Sequence, residues 1–558
     1  MTQCAQCKKE FEITDGHREF YKKIDVPEPS FCPQCRQQRR LVWRNERSLY
    51  PRKCALTGRD ILSIYAPDKP WPVYAPESWY GDGWDQLTTG RDFDFSRGFF
   101  EQFKELQAAA PHLGSIVVNN ENSPYINQGW HNKNCHMCFD LGYCENCLYC
   151  SATYHTKDSS DANFTYESEL CYETVGCTKC FMGVFLEDCH NCSAVSFSVD
   201  CKNCSDCILC WNLRNKQYCI LNKQYTKEEY EREKMKYDFR SHTTYEGLKK
   251  RLGDIKIGAI HRYSLNFQCQ DCRGDYLNRS KNMNFCFDCD KSENCSYATR
   301  IDSDVKDSMD IDHAAENELM YEGVAMCGFN SKFGYDVVHC QNVDYSEVAI
   351  SCNNCFGCVH VHNQEYCILN KKYSKEDYEV LRAKIIEHMK KTGEWGEFFP
   401  PSVSPYAYNE TTVNEFYPLT RDEALARGFA WRDDMSRTTG KETLKESDIP
   451  DIISQASVSA LVGQVIACGQ CAKNYKYIKQ ELELYQRIGV PVPRQCYDCR
   501  HKRRFLVRNP RVLYSRQCMC DKAEHGHADR CAEQFETTYS PERPELVYCE
   551  SCYQKEVV

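Results

Sequence analysis

CKNCSDCILCWNLRNKQYCILNKQYTKEEYE, residues 201–231, and SCNNCFGCVHVHNQEYCILNKKYSKEDYE, residues 351–379, are one passage written twice. Cys204/Cys352, Cys207/Cys355, Cys210/Cys358 and Cys219/Cys367 share one offset, 148. Cys138/Cys286, Cys147/Cys295 and Cys192/Cys340 share it too, so the centre of the chain is a tandem duplication. Inside each copy, short patches such as CLYC, LCYE, CILC and YCIL recur at an average spacing of about 11 to 12, with Asn, Asp and Ser between them. Four-residue patches are too short for helices and fit strands separated by polar turns. Short strands at a fixed period mean a solenoid, a propeller or an array. The reading is a β-solenoid with two such strands per coil of about 22 residues. A helix closes each half, entered through capping boxes at Thr226/Glu229 and Ser374/Asp377. An irregular chain of small zinc modules is the alternative fold.

The substitutions between the copies say what the central cysteines do. At offset 148, Cys135 corresponds to Met283, Cys150 to Ala298, Cys189 to Val337 and Cys201 to Ala349. One residue later in register, Cys171 corresponds to Met320. A free cysteine behaves as a small buried hydrophobe, so these positions read as an interior stack. Two sets keep their cysteines. One is the Cys204, Cys207, Cys210 run, whose spacing also admits an iron–sulfur cluster. The other is Cys269, Cys272, Cys286 and Cys289, whose ribbon-like spacing of 13 makes a further zinc site a candidate.

The two ends are also copies of each other. Cys4, Cys7, Cys32 and Cys35 recur as Cys468, Cys471, Cys496 and Cys499 at an offset of 464, with the same interval between the two pairs in each copy. Two Cys-x-x-Cys knuckles supply four thiolates, a closed tetrahedral Zn2+ site of the structural kind. CAQCKKEFEITDGHREFYKKIDVPEPSFCPQCRQQRR, residues 4–40, resembles the zinc-ribbon domains of uncharacterised bacterial multi-cysteine proteins. The resemblance covers about 50 residues at each end and implies a zinc site without a settled activity. The second copy departs from it at CAKNYKYIKQELELY but keeps every cysteine. A third site is read only at the C-terminus, from Cys520, Cys531, Cys549 and Cys552. Their counterparts in the first copy are Leu56, Thr57, Ala75 and Ser78, so all four were lost together. Cys518, His525 and His527 compete as ligands, but Cys518 persists as Cys54 without the others.

Behind each knuckle pair lies a basic stripe. Residues 36–52 hold six arginines and one glutamate, and 500–516 hold six arginines and one lysine, in a chain whose formal charge is -10. Arg36, Arg40, Arg44 and Arg47 recur at helical spacing, and Arg500, Arg504, Arg508 and Arg511 match them. Forked donors in a row suit a phosphate backbone, and Trp43, Tyr50 and Tyr514 are placed to stack on bases. The alternative is that these arginines pair with the acidic bulk of the same protein.

With 40 cysteines in 558 residues and no export signal or 18-residue apolar run, the expectation is a reducing, cytoplasmic setting with no membrane association. No phosphate-binding Gly-rich loop, Gly-x-Ser-x-Gly or His-Glu-x-x-His occurs, which weighs against an enzyme.

The fold class is mainly β with some α: a duplicated cysteine-rich β-solenoid-like centre between terminal zinc ribbons. The segments are 1–60, a zinc ribbon with its stripe; 61–134, a packing region; and 135–238, the first repeat half. Then come 239–268, a charged helical connector; 269–393, the second half; 394–434, an aromatic and proline-rich strap; 435–466, a linker; and 467–558, a double zinc module. The functional expectation is a non-catalytic protein with at least three Zn2+ that binds nucleic acid, RNA or single-stranded DNA, through two ribbons on a rigid spacer. A protein-interaction scaffold is the alternative, and a β-solenoid enzyme the third reading.

Overall fold

The computed structural model describes residues 1–435 and 438–558; residues 436 and 437, inside the stretch read as a linker, lie outside the described residues. The chain is mainly β with some helix, and two large, mostly parallel sheets dominate it. It divides into two compact units, and each joins one end of the sequence to one half of the central duplication. Residues 1–115 go with 264–433, and residues 116–263 go with 434–558.

In the second of these units an 11-stranded sheet runs in sequence order from Val117–Val118 to Lys223–Gln224. Neighbours are parallel up to the closing antiparallel pair. Ser151 faces Asn163, Val184 faces Ser196 and Cys207 faces Cys219, the same step along the chain each time. The other unit carries a 14-stranded sheet with that step at Tyr335/Glu347 and Cys355/Cys367. It is less regular, slipping by one residue at Val324/Tyr335 and Thr299/Asp312. The period is therefore 12, the same separation that the Cys150 N–H spans to reach Cys138 Sγ. This corrects the expected two strands per 22-residue coil: successive patches stack directly on one another.

A finer period explains the step. From Gln128 to Leu221 every third residue is left-handed, with φ between 48° and 58° except Gly176 at 67°. A left-handed L-residue costs roughly 1–2 kcal/mol, least for Asn and Asp, whose short side chains bond locally. Asn134, Asn146, Asp158, Asp188 and Asn203 stand at such positions. Residues read as turn spacers are thus corners, one in each triplet. The next residue points inward in most triplets, Lys216 after Asn215 being an exposed exception. Cys135, Cys138, Leu141, Cys144, Cys147 and Cys150 are buried, and so are Thr153, Thr156, Ser159, Ala162, Thr165 and Ser168 in the same rhythm.

These inward groups are polar partners as well as filler. The Cys150 thiol donates to the Leu148 carbonyl at 3.3 Å, and Cys180 to those of Thr178 and Cys189 at 3.6 and 3.4 Å. In return, the Cys150 N–H donates to Cys138 Sγ at 3.4 Å and the Cys171 N–H to Ser159 Oγ at 3.0 Å. The interior is lined by backbone groups, so its small side chains hydrogen-bond to them where possible, while Leu141 and Leu186 fill it with hydrocarbon. Cys204, Cys207 and Cys210 occupy this buried row, as do Cys352, Cys355 and Cys358. Cys269 and Cys272 are half-buried at the start of the second sheet, with Cys286 and Cys289 buried behind them.

Helices and irregular segments cover the outer faces. The capping box at Thr226/Glu229 makes both its hydrogen bonds, and Ser374 accepts from the Asp377 N–H at the head of the helix Lys375–Thr392. In the unit holding 116–263, Tyr245, Leu248 and Leu252 of the helix His242–Gly258 pack on Phe197 and Ile208 of the sheet. Ile449, Ile453, Val458, Leu461 and Ile466 join the same core, so much of the stretch read as a linker is packed. In the unit holding 264–433, Phe399 of the strap lies 4.8 Å from Trp43, ring to ring.

Candidate metal centres

Each Cys-x-x-Cys at the chain ends is a tight knuckle. The Cys4 N–H donates to the Lys9 carbonyl at 2.9 Å and the Lys8 N–H to the Cys4 carbonyl at 3.1 Å, with Lys8 left-handed at φ 61°. Cys468, Lys473 and Ala472 repeat the arrangement, Ala472 at φ 59°. The second knuckle opens a helix in both copies, Pro33–Leu41 after Cys32 and Tyr497–Phe505 after Cys496. The N–H of Cys32 donates to Cys4 Sγ at 3.3 Å, and that of Cys496 to Cys468 Sγ at 3.2 Å. Cys4, Cys7, Cys32 and Cys35 thus bring four sulfurs within 4.8 Å of one another, and so do Cys468, Cys471, Cys496 and Cys499. Both expected sets are assembled, and four mutually adjacent thiols are a fitting donor set for a tetrahedral metal ion.

The third group differs from the one expected. Cys518, Cys531, Cys549 and Cys552 come together, while Cys520 lies with His525, His527 and Cys552. The same N–H···S signature marks the set: Cys549 N–H donates to Cys518 Sγ at 3.3 Å at the start of the helix Glu550–Val557. Cys518 was discounted because it survives as Cys54 without its companions. The structure gives the reason for that survival. The Ala75 N–H donates to Cys54 Sγ at 3.4 Å, again before a helix, Pro76–Trp79. Cys54 keeps a local role as an acceptor after its partners are gone. Burial pushes its thiol up, yet hydrogen bonds from Thr57 and neighbouring N–H groups prevail and bring it down to about 7.

The leading arginines of each stripe do not face solvent. Arg36 and Arg40 are fully buried in the helix Pro33–Leu41. Arg36 donates to Asp310 Oδ2 from Nε at 3.0 Å and Nη2 at 2.7 Å. Arg40 donates to Asp312 Oδ2 at 2.9 Å and Asp310 Oδ1 at 3.2 Å. In the other unit Arg504 reaches Asp161 at 2.6 Å and Asn163 at 3.0 Å, and Arg500 Nε lies 3.3 Å from Asp161. Arg44 lies past its helix and donates to Glu46 at 2.9 Å, both groups buried. Arg47, Arg508 and Arg511 are half-buried, Arg508 lying over the Phe164 ring at 4.1 Å. Trp43 and Tyr50 are buried and Tyr514 is half-buried. The phosphate-binding assignment of Arg36, Arg40, Arg44, Arg500 and Arg504 is corrected accordingly: their charges end on carboxylates of their own unit.

The receiving acids went unread as partners because they look like ordinary turn residues. The signal was available. Asp161/Asp310 recur at an offset of 149 and Arg36/Arg500 and Arg40/Arg504 at 464, so both sides of the contact are duplicated together. Glu173 and Glu322 share the 149 offset and diverge in charge. Burial pushes both up. Arg503 and its neighbours outweigh this at Glu173 and hold it at about 2, whereas at Glu322 burial wins and the carboxyl rises to about 7.

A further cluster, His112, Glu347 and His360, is wholly buried in the unit holding 264–433. His112 Nδ1 bonds the Ala110 carbonyl at 2.8 Å, while His360 Nδ1 accepts from the Leu113 N–H at 3.1 Å. That acceptor role puts the proton on His360 Nε2, so this ring does not offer a metal the lone pair facing Glu347. No described helix is long and apolar enough to cross a membrane. Compared with protein-family models and with curated proteins, the chain finds no match.

Proposed function

We propose that this chain is a non-catalytic, zinc-braced β-solenoid scaffold. Zn2+ sits in three four-cysteine centres: Cys4/Cys7/Cys32/Cys35, Cys468/Cys471/Cys496/Cys499 and Cys518/Cys531/Cys549/Cys552. Four thiolates leave no open position for a substrate, so the metal's work is to fix the fold. Each terminal ribbon is a docking piece that holds the outer face of one solenoid half.

The observation that carries the reading is the burial of Arg36 and Arg40 on Asp310 and Asp312, and of Arg500 and Arg504 on Asp161. It favours the scaffold over a nucleic-acid binder, because five of the eight arginines expected to contact phosphate, Arg36, Arg40, Arg44, Arg500 and Arg504, are buried. What the scaffold offers a protein partner is a patterned outer wall. His131, Tyr143 and His155 stack at 5.0 and 4.9 Å, one on each successive coil, with Tyr143 half exposed.

Elemental analysis of anaerobically purified full-length protein tests the metal half, with at least three zinc ions per chain expected. Chelation should then lower the thermal midpoint of the whole chain, since structural zinc sites fold with their metal. Fluorescence anisotropy with single-stranded RNA at low salt tests the other half. No salt-sensitive binding is expected, and a clear binding isotherm would restore the nucleic-acid reading.

A further inference from the structure

The two groups of potential ligands at the C-terminus share one residue, Cys552. Cys552 belongs with Cys518, Cys531 and Cys549, and equally with Cys520, His525 and His527; in each set the donor atoms lie within 4.8 Å of one another. Cys520 Sγ is 3.1 Å from His525 Nδ1, and Cys552 Sγ is 3.6 Å from His527 Nε2. Cys520, His525 and Cys552 are buried and His527 half-buried, and the Cys531 N–H donates to the Cys520 carbonyl at 2.8 Å, which ties the two sets through the backbone.

The far nitrogen of each imidazole is also spoken for. His525 Nε2 lies 3.3 Å from Glu556 Oε2, and His527 Nδ1 is 2.6 Å from the Asp529 carbonyl oxygen. A carbonyl can only accept, so His527 Nδ1 carries the proton, and the Glu556 carboxylate beside His525 Nε2 favours a proton on that nitrogen too. The remaining lone pairs, on His525 Nδ1 and His527 Nε2, then aim at the thiols. This is how metal-ligating histidines are commonly held: the outer hydrogen bond fixes the tautomer and raises the basicity of the inner nitrogen. A cluster serving only as hydrogen-bonded core has no need of two imidazoles oriented in this way.

We propose that the C-terminal segment holds a dinuclear thiolate centre. One Zn2+-class ion is bound by Cys518, Cys531, Cys549 and Cys552, and a second by Cys520, His525, His527 and the same Cys552, whose thiolate bridges them. The first position rests on the three-centre reading above; the second is additional to it. A bridging thiolate is ordinary chemistry for a soft ligand, because sulfur has lone pairs for two ions. The arrangement also gives Cys520 a role that the four-cysteine set leaves it without.

Native mass spectrometry of the full-length chain loaded with zinc counts the ions. Four are expected in the wild type and three in His525→Ala/His527→Ala, whose substitutions leave the four-cysteine set intact. Glu556→Gln keeps a hydrogen-bond acceptor but lowers its basicity, and should weaken the fourth ion alone by about 10- to 100-fold in a chelator competition. Cobalt loading reads the bridge directly. Two Co2+ ions joined by one thiolate couple magnetically, so the wild type should show a reduced moment that the double histidine variant loses. A wild-type count of three, or four ions retained in the double variant, overturns the dinuclear centre while the three four-cysteine centres stand. Four ions with no magnetic coupling overturns the bridge, and fewer than three overturns both readings.

Discussion

At the residue scale, the chemistry is decided by what stands opposite each arginine. Asp161 is wholly buried and takes the charge of Arg504 at 2.6 Å. Removing one partner of such a pair strands the other charge, which typically costs about 3–5 kcal/mol. Arg504→Gln leaves Asp161 facing Arg500 at 3.3 Å and should cost less than that, whereas Asp161→Asn strands both guanidiniums and should cost about that amount or more. Denaturant titration of both variants checks this; Asp161→Asn as stable as the wild type would mean that the pair is solvated. Glu173 supplies a pH test. Its carboxyl is held at about 2 in the fold against an ordinary 4.5. The unfolded chain takes up the proton first on acidification. The stabilisation is thus complete above about pH 4.5 and is lost as pH falls toward about 2, a loss on the order of 3 kcal/mol. Glu322, raised to about 7, works the other way, its contribution fading as pH rises from about 4.5 through about 7. Thermal midpoints across that range should show Glu173→Gln flattening the acid limb and Glu322→Gln flattening the neutral one.

At the element scale, the unit is a three-residue corner, and it was only half legible. The duplication, the strand character and the inward cysteines followed from the repeated passage and from replacements such as Cys189 by Val337. The period did not. Apolar patches mark each coil, but the left-handed corners are filled by Tyr149, Phe164, Leu170 and Phe197 as well as by Asn and Asp, so the triplet leaves little compositional trace. The inward thiols were read as plain hydrophobes, although backbone hydrogen bonding is equally part of their work. Cys189 is typical of that role, its thiol 3.4 Å from the Glu187 carbonyl and 3.7 Å from that of Ser198. Cys189→Val nearly keeps the volume and forfeits weak thiol hydrogen bonds, so it should cost about 1 kcal/mol or less. Cys189→Leu adds volume at a site already filled by neighbouring side chains and should cost about 1–3 kcal/mol. Urea midpoints for the two variants decide between a tolerant and a tightly filled interior, and equal midpoints would argue for spare room.

At the scale of the whole molecule, the chain crosses over itself in sequence. The first four-cysteine segment belongs with the second half of the duplication, and the last with the first half. Sequence proximity suggests the opposite pairing, and nothing in the composition of the ends corrects it. The matched duplication of arginines and aspartates signals that the ends meet the repeats, but not which copy meets which. The consequence is that metal loss at one end should be felt far away in sequence. Cys32→Ser breaks the knuckle from which the helix Pro33–Leu41 starts, and with it the anchor of Arg36 and Arg40 on Asp310 and Asp312. Cys496→Ser does the same for Arg500 and Arg504 on Asp161. Hydrogen exchange by mass spectrometry separates the outcomes. Cys32→Ser should deprotect the strands Met309–Ala314 and Tyr321–Phe329, leaving Ser160–Tyr166 and Tyr172–Val175 as in the wild type. Cys496→Ser should give the reverse pattern. Deprotection that instead follows the nearer repeat in sequence would contradict the crossed pairing, and with it the account of why the arginines are where they are.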